Sequence, residues 1–293
     1  MKSEDAQITG QSKYAIAAPS ITGLAALALY IPTLVKGPVH WDAPLWAFCV
    51  NRVHPWITGY PLYILLSHPF SRLPFGTLMW RVALPSAILA ATTAGLLCYL
   101  CMMLKAKPVW SAIASLVFAL SLKTWESATV PEVYSLFWLL FALLLILATR
   151  TIHGDTKVPA WLVFAYGLSF AHHLLTVTLA PMVLFALIAG QKQKAFSTRN
   201  ITFGIAATLI LIGLYIFAYF RQSAGAMGPE LTVGFGEFIN RLAGGKYRSW
   251  MFSGEWEAVQ SSLATFWRYF TNSFRFPLWA ISLVGIAVAL IRD

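Results

Sequence analysis

The chain has 293 residues, of which 58% are hydrophobic and only 11% charged, with a net charge of +10. Soluble domains average about 25% charged residues, so a soluble fold of this size is excluded, and the 15% aromatic content excludes disorder. What remains is a polytopic membrane protein, in which the positive balance fits cytoplasmic loops and anionic lipid phosphate rather than nucleic acid.

In chain order, residues 1–13 are polar and read as a cytoplasmic tail. Tyr14 to Val35 is a 22-residue apolar run, too long for a signal-peptide core and long enough to span. It opens a single transmembrane domain, 14–293. Residues 36–77 break the pattern with Asp42, Arg52, Arg72, three histidines and several prolines, and are expected to form a long outer loop bearing short interfacial helices. Apolar runs follow at Leu78–Leu104, Pro108–Leu122 and Val133–Thr149. Pro159 to Gly190 is 32 residues long and is expected to cross twice, turning at His172 and His173. Ile201–Phe220 and Leu263–Ile291 flank a second outer loop, 221–262. The expectation is an all-α bundle of about eight spans. Lys105, Lys107, Arg150, Lys157, Lys192, Lys194 and Arg199 fall in three short connections. If those connections are cytoplasmic, so is the N-terminus, and both long loops lie outside. The stop directly after a span, in IRD, is expected of a fragment or a truncated relative of a longer protein.

Acids are few, and those assigned to the outer side carry the chemical interest. Asp42 follows the first span closely in VHWDAPLW. A carboxylate beside Trp41 and Trp46 near the bilayer would be partly desolvated and suited to act as a base; alternatively it pairs with Lys36 or Arg52. Glu132 follows Pro131 at a helix start, where the helix dipole favours an anion. It is either a functional acid of the membrane region or a simple helix-start carboxylate, whereas Glu126 reads as solvated. His172 and His173 either bind a phosphate or substrate hydroxyl or cap a helix turn; no zinc-type spacing accompanies them. Outer cations include Arg52, Arg72, Arg81, Arg241, Lys246 and Arg248. The GGKYR run that carries Lys246, Tyr247 and Arg248 suits either phosphate binding or a basic surface loop. Cys98 and Cys101 spell C-x-x-C inside an apolar run and read as small core residues. No nucleotide-binding glycine motif and no G-x-S-x-G element is present. One acid with several cations is sufficient for sugar transfer from a lipid phosphate. A phosphate leaving group needs positive charge rather than a proton, and the acceptor hydroxyl needs one base.

Several segments in this order resemble a known family, the protein O-mannosyltransferase-like membrane proteins grouped as domain of unknown function 2723, similar to the GT-C superfamily of lipid-linked glycosyltransferases. The segments are WDAPLW with HPWITGYPLYILL and LPFG, then WRVALPSAILAA, TVPEVYSL, GLSFAHHLLTVTLAP and GKYRSWMF. The resemblance covers about Leu34 to Asp293. It implies a GT-C-like helical bundle, Asp42 as catalytic base, and Glu132, Tyr134 and His173 as pocket residues. It also implies His54, Tyr60, Arg81, Tyr247 and Arg248 as contacts to donor or acceptor. One departure stands out: the family's second loop acid, three residues after the aspartate, is Leu45 here.

The expected activity is therefore that of a membrane glycosyltransferase. It would move a mannose-like sugar, with inversion, from a polyprenyl- or dolichyl-phosphate donor to a protein hydroxyl or glycan on the outer or lumenal face. The setting would be a cell inner membrane or the endoplasmic reticulum membrane. The donor and membrane lipid are the expected ligands, no nucleic-acid partner is expected, and the sequence names no further cofactor or metal. A transporter or lipid flippase built on broken helices, and a non-catalytic relative of the transferases, are the alternatives.

Overall fold

The computed structural model describes residues 2–39, 42–55, 60–191, 197–224, 234–245, 256–273 and 284–285, and among these it is all helix and loop. The helices are α1 (Lys2–Tyr30), α2 (Ala43–Arg52), α3 (Pro61–Ser71), α4 (Leu78–Met103), α5 (Pro108–Ala119) and α6 (Leu122–Thr129). They continue with α7 (Tyr134–Ile152), α8 (Val158–Ser169), α9 (Ala180–Gln191), α10 (Thr198–Ser223), α11 (Phe235–Leu242) and α12 (Trp256–Ser273). Their starts follow from sequence. Thr77 accepts the Trp80 N–H at 3.2 Å to cap α4, and Ser197 accepts that of Asn200 to cap α10. Pro44, Pro61, Pro108 and Pro159 sit in first turns, where a missing N–H costs nothing.

Four segments are long and apolar enough to cross a membrane: Ile16–Thr33, Leu78–Met103, Tyr134–Ile152 and Thr198–Ser223. A fifth forms if α5 and α6, bent by 67°, count as one broken span. The chain is an integral membrane protein of helical type. The 159–190 run does break as expected, into α8 and a segment from Leu174 to Gly190, each shorter than a regular span. The 36–77 loop contains the two short helices expected of it, α2 and α3. Residues 2–13, read as a tail, form the start of α1, ahead of the candidate span at Ile16, and of the run read as a last span, Leu263–Ile291, only 263–273, within amphipathic α12, and 284–285 are among the described residues.

Small residues set the packing. α1 lies against α4 through Ala26, Ala83, Ala87, Ala90, Ala91 and Ala94, the close approach by which helices associate in lipid. Gly23 and Gly95 face each other there. A Cβ on Gly95 would stand 2.9 Å from the Pro19 carbonyl oxygen, and that oxygen belongs to backbone that cannot swing aside. Gly95→Ala is expected to lower the thermal midpoint in detergent by several degrees, given an overpacking cost of about 1–3 kcal/mol. Gly213→Ala, with nothing within 4 Å of the added carbon, should leave the midpoint unchanged or raise it. Equal losses in the two variants would overturn the close-contact reading. At the end of α1, Tyr30 is fully buried and donates to the Ala119 carbonyl at 2.6 Å, tying α1 to α5.

One end of the bundle gathers the loops. Val35 N–H donates to Thr129 O at 3.0 Å, Thr77 Oγ1 to Lys36 O at 2.7 Å, and Leu62 N–H to Ala171 O at 3.2 Å. Arg221, at the end of α10, donates from Nε to Val53 O at 2.9 Å and from Nη2 to Arg52 O at 2.7 Å. These bonds bring the ends of α1, α6, α8 and α10 and the starts of α4 and α7 to the same side as α2 and α3. The opposite end collects cations: Arg150 pairs with Asp155 at 2.6 Å and Arg199 donates to the Thr156 carbonyl.

Candidate functional site

The site lies at the loop-bearing end, where α2, α3, the start of α7 and the turn after α8 meet. α2 carries Asp42 at its N-cap and Trp46 one turn later on the same face. Leu45 and Trp46 pack with Tyr63, Val82, Val133 and Leu136. The acid missing at Leu45 is thus replaced by a side chain committed to a hydrophobic cluster. The Asp42 carboxylate is exposed and makes no capping bond to α2. Ion pairs among the described residues are Lys123–Glu126, Arg150–Asp155 and Arg241–Glu237, so the expected pairing of Asp42 with Lys36 or Arg52 does not form there.

Glu132 is fixed by its backbone. Ser86 of α4 donates to the Glu132 carbonyl at 3.2 Å and accepts the Glu132 N–H at 3.1 Å. The carboxylate then accepts the Val133 N–H at 2.8 Å at the start of α7, as the helix-start reading requires. Burial, joined by a smaller contribution from the Asp42 charge, outweighs those bonds and pushes the carboxyl up to about 7. Asp42 and Glu132, 90 positions apart in sequence, therefore share one electrostatic neighbourhood. Glu126 is exposed and ion-paired with Lys123 at 2.8 Å, as its solvated reading requires.

A ring of aromatics and histidines adjoins the acids. Tyr60 lies 5.2 Å from Trp46, 5.9 Å from His172 and 5.3 Å from His173, centroid to centroid. Tyr134 and Phe137 of α7 stand 5.8 and 5.9 Å from His173. Tyr60 itself has φ +46, a left-handed conformation that a bulky side chain adopts only where its surroundings impose it.

The two histidines divide the two readings offered for them. His173 caps the 3-10 turn Leu174–Leu179, its Nδ1 accepting the Leu175 N–H at 3.1 Å. That bond fixes the neutral tautomer with the proton on Nε2, and burial lowers the ring's basicity. His172 is 1% exposed, and neither of its ring nitrogens has a hydrogen-bond partner among the described residues. Burial first, then the neighbouring His173, holds it down to about 3. The buried Trp46 indole N–H is likewise unpartnered among them. Buried polar groups left unpaired are costly, and their concentration here gives the ring unmet capacity for a polar ligand.

Other expected contacts lie elsewhere. His54 is 4% exposed and belongs to the end of α2, where its N–H donates to Cys49 O at 2.8 Å. Burial, then the charge of Arg221, lowers its basicity. Arg81 donates from Nη1 to Leu73 O at 2.7 Å and so braces the α3–α4 connection. Lys246, Tyr247 and Arg248 lie outside the described residues. Trp46, Tyr63, Ser86, Phe137 and Arg221 were not singled out as site residues. Trp46 carried a signal, its one-turn spacing from Asp42; Ser86 and Arg221 carried none, because their partners are distant in sequence.

The profile of a family described as the protein O-mannosyl-transferase TMEM260 N-terminal domain matches residues 47–196, just over half of the chain. The chain belongs to this family. The matched stretch runs from within α2 to just past α9 and contains Glu132 and both histidines, while Asp42 precedes it. Protein O-mannosyl-transferase TMEM260 of Mus musculus is 27% identical over 220 residues, which make up 71% of this chain and 31% of that protein. The chain thus spans about a third of the length of this relative. No solved structure matches.

Proposed function

We propose that the chain is a lipid-linked glycosyltransferase that moves a mannose-like sugar from a polyprenyl- or dolichyl-phosphate to a protein hydroxyl or a glycan. The observation that carries this reading is the gathering of Asp42, Glu132 and the Tyr60–His173 ring at one end of a membrane bundle whose family is named for protein O-mannosyl transfer.

The chemistry assigns one role to each group. Asp42, exposed at the N-cap of α2, takes the proton of the acceptor hydroxyl as its oxygen bonds to the anomeric carbon. The bond from that carbon to the lipid phosphate breaks, and the phosphate leaves with the electron pair and without a proton. Attack from the side opposite the phosphate inverts the anomeric centre. Glu132 supplies the acid that Leu45 does not, orienting the acceptor or a sugar hydroxyl. His173 Nε2–H donates to a sugar oxygen, the His172 ring donates from one nitrogen and accepts at the other, and Tyr60 and Tyr134 flank the sugar. Lys246 and Arg248 stabilise the leaving phosphate. The site end faces the outer or lumenal side and the N-terminus the cytoplasm, in keeping with the lysines and arginines collected at the opposite end.

The test is transfer in membranes holding the full chain and a peptide acceptor rich in Ser and Thr. Label should move from polyprenyl-phosphate mannose and not from a nucleotide-linked mannose. Transfer from the soluble donor, or movement of the lipid across the membrane without sugar transfer, would overturn the reading.

A further inference from the structure

α10, Thr198–Ser223, begins just past the stretch shared with the family. It is seated along α8. A Cβ on Gly167 of α8 would stand 2.8 Å from the Ala207 Cβ, and one on Gly204 would stand 3.2 Å from Val163 Cγ1. The Trp161 and Phe203 rings meet edge to face at 4.9 Å. At about 100° per residue, Gly204, Ala207, Tyr215 and Ala218 fall on one face, with Arg221 at its border. Tyr215 and Arg221 each reach the end of another helix. Tyr215 donates its hydroxyl to the Phe170 carbonyl at 2.6 Å. Phe170 is the C-cap of α8, and the turn it opens carries His172 and His173. Arg221 donates to Val53 O and Arg52 O at the C-cap of α2, whose N-cap is Asp42. Carbonyls at a helix end have no partner within the helix, and the partial negative charge there favours a cation. Val53 has φ +52, which a β-branched side chain adopts only where its surroundings impose it. The planar guanidinium fork holds both carbonyls of that bend at once.

We propose that Tyr215 and Arg221 are positioning residues for sugar transfer: by capping α8 and α2 from one helix, they set where the His172–His173 turn stands relative to Asp42. The inference rests on the transfer reading above. Its physical ground is the stiffness of short helices. α2 has ten residues and a length of about 15 Å, so a tilt at Arg52–Val53 is carried to Asp42 at the other end. α3 joins α2 to the histidine turn directly, through Tyr60 against Trp46 at 5.2 Å and the Leu62 N–H on Ala171 O. α10 supplies the second tie between them. A misplacement of about 1 Å between a base and the reacting atoms can cost about 10²-fold in rate. Both residues act through backbone carbonyls rather than on the donor, so their loss falls on kcat more than on the donor KM.

Pulsed spin-label distances and steady-state kinetics on the full chain in lipid nanodiscs test this. Labels are placed at Phe48→Cys on α2 and Leu175→Cys just past the histidines, both exposed. The background is Cys101→Ala, because Cys49 and Cys98 are buried. Tyr215→Phe and Arg221→Gln should each broaden or shift the distance between 48 and 175. Ile216→Ala, exposed on the opposite face of α10, should leave it unchanged. In unlabelled chains, Arg221→Gln should lower kcat for transfer from polyprenyl-phosphate mannose by about 10²-fold, with little change in donor KM. Arg221→Lys keeps the charge and loses the fork, and should recover only part of the rate. Unmoved distances in both variants would overturn the proposal. So would moved distances with wild-type kcat, or a raised KM with kcat intact. Tyr215→Phe removes a single hydroxyl and carries the test if Arg221→Gln fails to fold. A wild-type chain that moves no sugar would instead overturn the transfer reading, and the distances would still decide whether α10 sets the spacing.

Discussion

Asp42→Asn should reduce sugar transfer by about 10²–10⁴-fold, the usual contribution of a positioned acid or base, while expression and thermal midpoint stay at wild-type values. The structural ground for the second half is specific. The Asp42 side chain is exposed and contributes no cap to α2, and its backbone carbonyl still accepts the Trp46 N–H at 2.9 Å in the variant. Asparagine keeps the shape and removes the basicity. The substitution should also leave a mark on Glu132. Part of that carboxyl's upward displacement comes from the Asp42 charge, so removing it should bring the titration of Glu132 down toward the ordinary carboxyl range. The titration can be followed by infrared difference spectra of the carboxyl band. Wild-type turnover in the variant would remove Asp42 from the mechanism; an unmoved Glu132 titration would separate the two acids in space.

Glu132→Gln should act in opposite directions on activity and stability. The wild-type carboxyl is raised from 4.5 to about 7, first by burial. Between those values the folded chain holds a proton that the unfolded chain has released, so the folded state loses stability as the pH rises through that window. Above pH 7 the full cost is about 3 kcal/mol as an upper bound, at about 1.4 kcal/mol per pH unit. Glutamine is neutral at every pH, and its amide oxygen can still accept the Val133 N–H. The variant should therefore melt several degrees above wild type at pH 8 and together with it near pH 4.5, while sugar transfer falls by about 10²-fold or more. A gain of equal size at both pH values would show that ionisation of Glu132 does not carry the cost. An acid retained at such a cost at neutral pH, in a chain with only 11 acids, is what a functional site is expected to hold.

Much of the architecture was legible because hydropathy is a sum along the chain. The spans around Leu78–Met103, Tyr134–Ile152 and Thr198–Ser223, the break near His172 and the helical content of 36–77 all follow from local composition and punctuation by proline. The run read as a last span, Leu263–Ile291, lies mostly outside the described residues; its described start, 263–273, belongs to α12, where Trp, Phe and Leu recur at three- and four-residue spacing. The candidate site was legible in its residue types, since Asp42, Glu132, Tyr60, Tyr134 and His173 were each singled out. Their grouping was not, and two residues named with them take partners of their own outside the ring. Arg81 braces the Leu73 carbonyl, and His54 sits behind α2 against Arg221.

The sequence by itself determined the solvent of the protein, its helical class and the short list of charges able to do chemistry. All three depend on which residues are present and in what local order. Only the tertiary structure decided that the Asp42 charge reaches Glu132 while Leu45 enters the hydrophobic cluster, that Ser86 holds the Glu132 backbone, and that Arg221 holds the end of α2. Those facts rest on contacts between residues tens to more than a hundred positions apart. Such contacts are set by how small side chains let the helices approach and by which buried polar groups find partners. No local pattern carries that information.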